Sequence, residues 1–163
     1  MATDSIAYDR AELRGIIKAF GAMDDESVAA AKRESGALAE YALGAIHKKA
    51  YSLRTTRKMA ERIASGGRVS KSSKVGEISL GFASQTFSGG GDTRINQGQT
   101  GGIGVLAGVE FGSNKFKQFP IWSGKGKNGG SRGWFIYPAL REAQPHIISA
   151  WESAFSKIIA RWK

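Results

Sequence analysis

Leu13, Ile16, Ile17 and Phe20 recur at the spacing of one helical face, with charged residues between them. They predict a helix over 5–21 that stops at Gly21. Asp24 or Asp25 would cap a longer second helix, with Val28, Ala31, Leu38, Ala42, Ala45 and Ile46 as its apolar stripe. That helix is rich in alanine and also holds Gly36 and Gly44. Alanine favours helix, and small side chains let a second backbone come close. Ser52 would cap a third helix running to about Ala64, with Met59, Ala60 and Ile63 inward and Arg54, Arg57, Lys58 and Arg62 outward. Gly66 and Gly67 would end it.

The pattern then changes period. Residues 68–74 are rich in Ser and Lys and read as a solvated linker. From Val75 to Phe82 the chain alternates, with Ile78, Leu80 and Phe82 on one face of a half-buried strand. Residues 83–102 are polar and glycine-rich. Ile103, Val105, Ala107, Val109 and Phe111 then share a face and predict a second strand, antiparallel to the first. A basic, glycine-rich stretch over 113–134 leads to Pro138, which suits the first turn of a helix over 138–162. Ile148, Trp151, Phe155, Ile158, Ile159 and Trp162 form the stripe of that helix. Pro145 implies either a kink or a fresh helix start after a short turn over 138–143.

These elements predict an α+β fold in one domain over 1–163. A small antiparallel sheet, the hairpin 75–112, is packed by a helical part over 5–65 and by the long C-terminal helix, with extended glycine-rich loops. The length of 163 residues suits one core, and the apolar fraction of 41% is that of a folded protein. No run reaches the ~18 apolar residues of a membrane span, and the N-terminus lacks the pattern of a signal peptide. The expectation is a soluble, unsecreted protein without membrane contact.

Charge sharpens this picture. The net charge of +10 points to a polyanionic neighbour. Lys48, Lys49, Arg54, Arg57, Lys58, Arg62, Arg68, Lys71 and Lys74 stand against Glu61 alone over 47–74. Acids gather earlier, at Asp4, Asp9, Glu12, Asp24, Asp25, Glu26, Glu34 and Glu40. An acidic end and a basic end permit contact between copies.

Candidate chemistry is sparse. The chain has no cysteine, which excludes disulfides and thiolate chemistry. His47 and His146 lie in amphipathic helices without a second ligand at metal spacing and read as surface or capping residues, so no metal, cofactor or catalytic residue is expected. Ser70-Lys71-Ser72-Ser73-Lys74 has no helix to fix a nucleophile. Gly101-Gly102-Ile103-Gly104 precedes a predicted strand, and Gly124 to Gly130 lacks phosphate-loop spacing. The basic face Arg54, Arg57, Lys58 and Arg62 reads equally as solvated or as gripping phosphates. Phe116, Phe119, Trp122 and Trp134, interspersed with Lys115, Lys117, Lys125, Lys127 and Arg132, suit either bases or protein anchors.

The second half carries three ordered motifs. Val109-Glu110-Phe111-Gly112-Ser113 is followed by a lysine-bearing loop with Phe119-Pro120, and then by Phe135-Ile136-Tyr137-Pro138-Ala139-Leu140 opening an amphipathic helix. In that order and spacing the chain resembles the tail-completion or neck protein family of long-tailed phages, the HK-ninety-seven gene-ten-like family, over roughly residues 50–160. It departs in a longer, more basic loop before Phe135, more extensive N-terminal helices and an expanded 83–102 segment.

The resemblance implies a non-enzymatic virion subunit, assembled in the host cytoplasm, that joins head to tail by tail completion, neck connection or tail termination. It implies copies arranged in a sixfold ring, touching adjacent neck and tail-tube proteins and, without sequence preference, passing DNA. Glu110, Phe111, Gly112, Phe116, Phe119, Trp122 and Trp134 are then the candidates for the subunit interface. Arg54, Arg57, Lys58, Arg62, Lys115, Lys117, Lys125 and Lys127 are the candidates to face DNA or an acidic partner. The alternative is a small basic nucleic-acid-binding module using the same surface.

Overall fold

The structure is a computed structural model and describes residues 18, 21–54, 58–70, 79–83, 85, 105–113, 116–120 and 133–162. The order of elements is α1 (Asp25–Ser52), α2 (Met59–Ser65), β1 (Gly67–Ser70), β2 (Ser79–Phe82), α3 (Val105–Phe111) and α4 (Ile136–Trp162). The described residues form a mostly helical α+β arrangement whose one sheet is the antiparallel pair β1–β2. The predicted helix 5–21 falls almost wholly outside them.

Asp24 starts α1. Its backbone is extended, and its Oδ1 accepts the N–H of Ser27 at 2.7 Å, filling one of the free donors of the first turn. Ser27 holds the Asp24 carboxyl below its ordinary value of 3.8, through its backbone hydrogen bond first. A carboxyl lowered on folding adds stability above its unfolded pKa, and that stability is lost as pH falls through the folded value. Thermal melts of Asp24→Ala, which cannot cap, should therefore lie below wild type at neutral pH, with the gap narrowing in acid, below about pH 4. Equal melting at pH 7 would remove Asp24 from the cap.

Helices α1 and α4 pack antiparallel. Tyr41 lies on His146 with ring centroids 4.3 Å apart, Lys49 pairs with Glu142, and Ala31 shares a small cluster with Ile158. The expected stripe of α1 is inward, with Ala31, Leu38, Ala42 and Ile46 buried. The α4 stripe also packs, with Ile158 buried and Trp151, Phe155 and Ile159 half-buried against the cluster of Met23, Ala31 and Ile158. At the other end of the helix pair, α2, α3 and the hairpin close the main core around Ile46, Ala50, Ala60, Ile63, Val105, Val109, Phe119 and Phe135.

Four expectations change. The segment 103–111 is not the second strand of a hairpin, because its described part is helix α3. Val105 and Val109 are four apart and both buried, so the same residues satisfy a helical period once Gly108 and Ala107 leave little side chain to distinguish the two. The partner of β2 is instead β1, in the register Gly67↔Phe82, Arg68↔Gly81, Val69↔Leu80 and Ser70↔Ser79. Residues 68–70, expected in the solvated linker, are thus sheet, and residues 75–78 of the predicted strand lie outside the described residues.

Ser52 closes α1 rather than opening the next helix, since its hydroxyl donates to the Lys49 carbonyl at 2.7 Å. Helix α2 starts later, at Met59, after Lys58 in a left-handed conformation (φ 65°). Finally, α4 begins at Ile136 and runs unbroken through Pro145, without a turn over 138–143. Pro145 lies on the exposed side, where water can replace the lost backbone contact.

Candidate functional site

The first turn of α4 has no local cap. Phe135 occupies the position before the helix, and its backbone carbonyl accepts the first helical bond from Ala139 at 3.2 Å. Its side chain is fully buried and apolar, so it offers no acceptor to the N–H groups that follow. Glu110, at the end of α3, supplies one. Its Oε2 accepts from the N–H groups of Phe135 and Ile136, both at 3.0 Å, and its Oε1 from Tyr137 at 2.9 Å. Its backbone carbonyl accepts from Trp134 at 2.9 Å. The consecutive donors 134–137 are all taken by one residue.

Glu110 is 1% exposed. A buried carboxylate needs compensating donors, and a helix N-terminus supplies both aligned N–H groups and a positive dipole end. The chain must approach it closely, and it does so at Gly133, which has φ of 83°. A Cβ at Gly133 would fall on Glu110 Oε1. Gly112, after α3, also has a positive φ, of 79°.

The segment between these glycines is tied at its base. Ser113 N–H donates to the Phe119 carbonyl at 3.0 Å, and Phe116 N–H to Ser113 Oγ at 3.1 Å. The Phe119 ring lies flat against the backbone of Gly108, where a Cβ would meet it at 2.9 Å. The Trp134 indole N–H reaches the Pro120 carbonyl at 2.8 Å, which brings the two ends of the segment 121–132 together. Outside this clamp, the rings of Phe111 and Tyr137 meet at 5.3 Å and are 37% and 53% exposed.

The expected interface residues therefore divide. Glu110 and Phe119 are buried in the chain's own interior, Glu110 as a helix cap and Phe119 as core. Gly112 is buried, Phe116 and Trp134 are half-buried, and Phe111 is exposed. Of the expected basic residues, Arg54, Lys58, Arg62 and Lys117 are exposed. Arg57, Lys115, Trp122, Lys125 and Lys127 lie outside the described residues.

Tyr137 and Gly133 went unread in the sequence. The signal for both is a helix start, Gly133-Trp134-Phe135-Ile136, with no Ser, Thr, Asp or Asn to cap it. The histidines have structural places: His47 Nε2 donates to the Ala64 carbonyl near the end of α2, and the His146 ring packs tilted against Tyr41. Among the described residues no cluster of three or more His, Asp or Glu could hold a metal ion, and no helix is long and apolar enough to cross a membrane. Comparison with protein-family models, curated proteins and solved structures gives no match for this chain.

Proposed function

We propose that this chain is a ring-forming structural subunit of a phage neck or tail, acting in head–tail connection, tail completion or tail termination. One observation carries the reading. Two of the three motifs behind the resemblance form a single physical unit, because the carboxylate of Glu110 in the first holds the N–H groups of Phe135, Ile136 and Tyr137 in the last.

In this reading the clamp is a rigid base. The exposed pair Phe111 and Tyr137 anchors a neighbouring subunit, as partly exposed aromatics do at interfaces. Lys117, together with Lys115, Lys125 and Lys127 of the adjoining segment, faces an acidic partner or passing DNA. The carboxylate of Glu110, held by backbone donors on both oxygens, serves assembly by fixing geometry.

The test has two parts. Concentrated protein viewed by negative-stain microscopy should show closed rings. Interrupting the gene in the encoding phage should leave filled heads separate from tails. Infectious, tailed particles made without the protein would overturn the proposal. Salt-sensitive binding of duplex DNA by an isolated monomer that never forms rings would favour the nucleic-acid module instead.

A further inference from the structure

The outer face of α1 is covered by no other described element, and its charge order is antisymmetric. At 3.6 residues per turn, Glu26, Arg33, Ala37, Glu40, Gly44 and Lys48 fall within an arc about 80° wide. All are exposed, opposite the buried face Ala31, Leu38, Ala42 and Ile46. Along this ridge the signs run minus, plus, minus, plus, with the small Ala37 at the midpoint. Glu26 and Lys48 lie eleven residues either side of Ala37, about 16 Å along the axis, while Arg33 and Glu40 flank it within one turn.

A second copy laid antiparallel on this ridge, with the two-fold axis at Ala37, sets Glu26 against Lys48 and Arg33 against Glu40. By symmetry each pair occurs twice. A parallel copy in register sets like charge on like charge at all four positions. The centre suits close approach, since Ala37 has only a methyl group and a Cβ added at Gly44 would meet nothing within 4 Å. Small residues at the crossing let helix axes approach to about 8 Å.

We infer that α1 forms a two-fold, antiparallel contact with α1 of a second copy of this chain. The contact selects orientation by charge, as paired charges do between helices generally. It is independent of the neck proposal, because a ring closes through heterologous contacts and this one is isologous. A single helix pair lies at the small end of specific interfaces, about 1,000 Å², and gives association in the micromolar range.

Charge-swapped variants separate this contact from binding of a polyanion by the same exposed charges. Sedimentation equilibrium of the full chain should show a dimer. E26K and K48E should each weaken it at least tenfold, because each brings like charges together twice. Mixing E26K with K48E should restore association, because each supplies the charges that the other now needs. The chain has no cysteine, so A37C should crosslink through one position on mild oxidation.

A chain that stays monomeric through the micromolar range overturns the inference. So does a dimer indifferent to both reversals, or a mixture that fails to recover while circular dichroism shows both variants folded. None of these results bears on whether virions need the protein, which is the measure of the neck reading.

Discussion

Glu110→Ala is expected to destabilise the fold by about 3–5 kcal/mol, since each backbone donor left without an acceptor costs about 1–3 kcal/mol. The reason is specific to the site. Three N–H groups at the start of α4 lose their acceptor at once, that of Phe135 buried and those of Ile136 and Tyr137 partly so. Glu110→Gln keeps the shape but offers one oxygen and an NH₂ that faces donors, so about 2–4 kcal/mol is expected. Urea denaturation measures both. The two variants should keep the α1 part of the helical signal and lose hydrogen-exchange protection first at 135–137. A loss under about 1 kcal/mol for the alanine variant would mean that the cap is supplied by something else.

Gly133→Ala should cost about 2–4 kcal/mol although it adds one methyl group to a stretch of loop. Part is backbone, since φ of 83° carries roughly 1–2 kcal/mol of strain for an L-residue. The other part is displacement of the Glu110 carboxylate, onto which the new Cβ would fall. The two parts separate in a double-mutant cycle. In a Glu110→Ala background the backbone part and a tight approach to Tyr137 Cβ at 3.0 Å remain, so Gly133→Ala should cost about 1–2 kcal/mol there. Simple additivity between the two substitutions would show that the carboxylate does not occupy the space beside Gly133.

Local signals were readable and remote ones were not. Asp24 caps α1 through a bond to a residue three positions on, and the α4 stripe repeats its period over several turns, so neither needs information from elsewhere in the chain. The segment 103–111 carries glycine and alanine where side chains would settle the period, and both a strand and a helix fit it. What selects helix α3 is tertiary: its last turn must aim Glu110 at a helix start 25 residues away. Strand β1 has one apolar side chain, Val69, too little for alternation to register.

Within the candidate site, Phe111 was grouped with Val105 and Val109 on one strand face, whereas the helix buries those two and leaves Phe111 exposed. Phe119 was not legible as core, because the cations around it resemble those of a surface loop. Glu110 held the strongest missed clue. An acid in an otherwise apolar run, set upstream of a helix with no capping residue of its own, is a donor–acceptor mismatch at two places that resolves when they are joined.

The bond from the Trp134 indole to the Pro120 carbonyl has a consequence for variation. Once the two stems are pinned together, the chain between them no longer has to close the gap itself. Doubling the length of such an insert costs only about 0.6 kcal/mol of closure entropy. Residues 121–132 could then be exchanged for longer, shorter or differently charged inserts while the helical body stays unaltered. A single scaffold could in this way be fitted to many mates by changing one cassette.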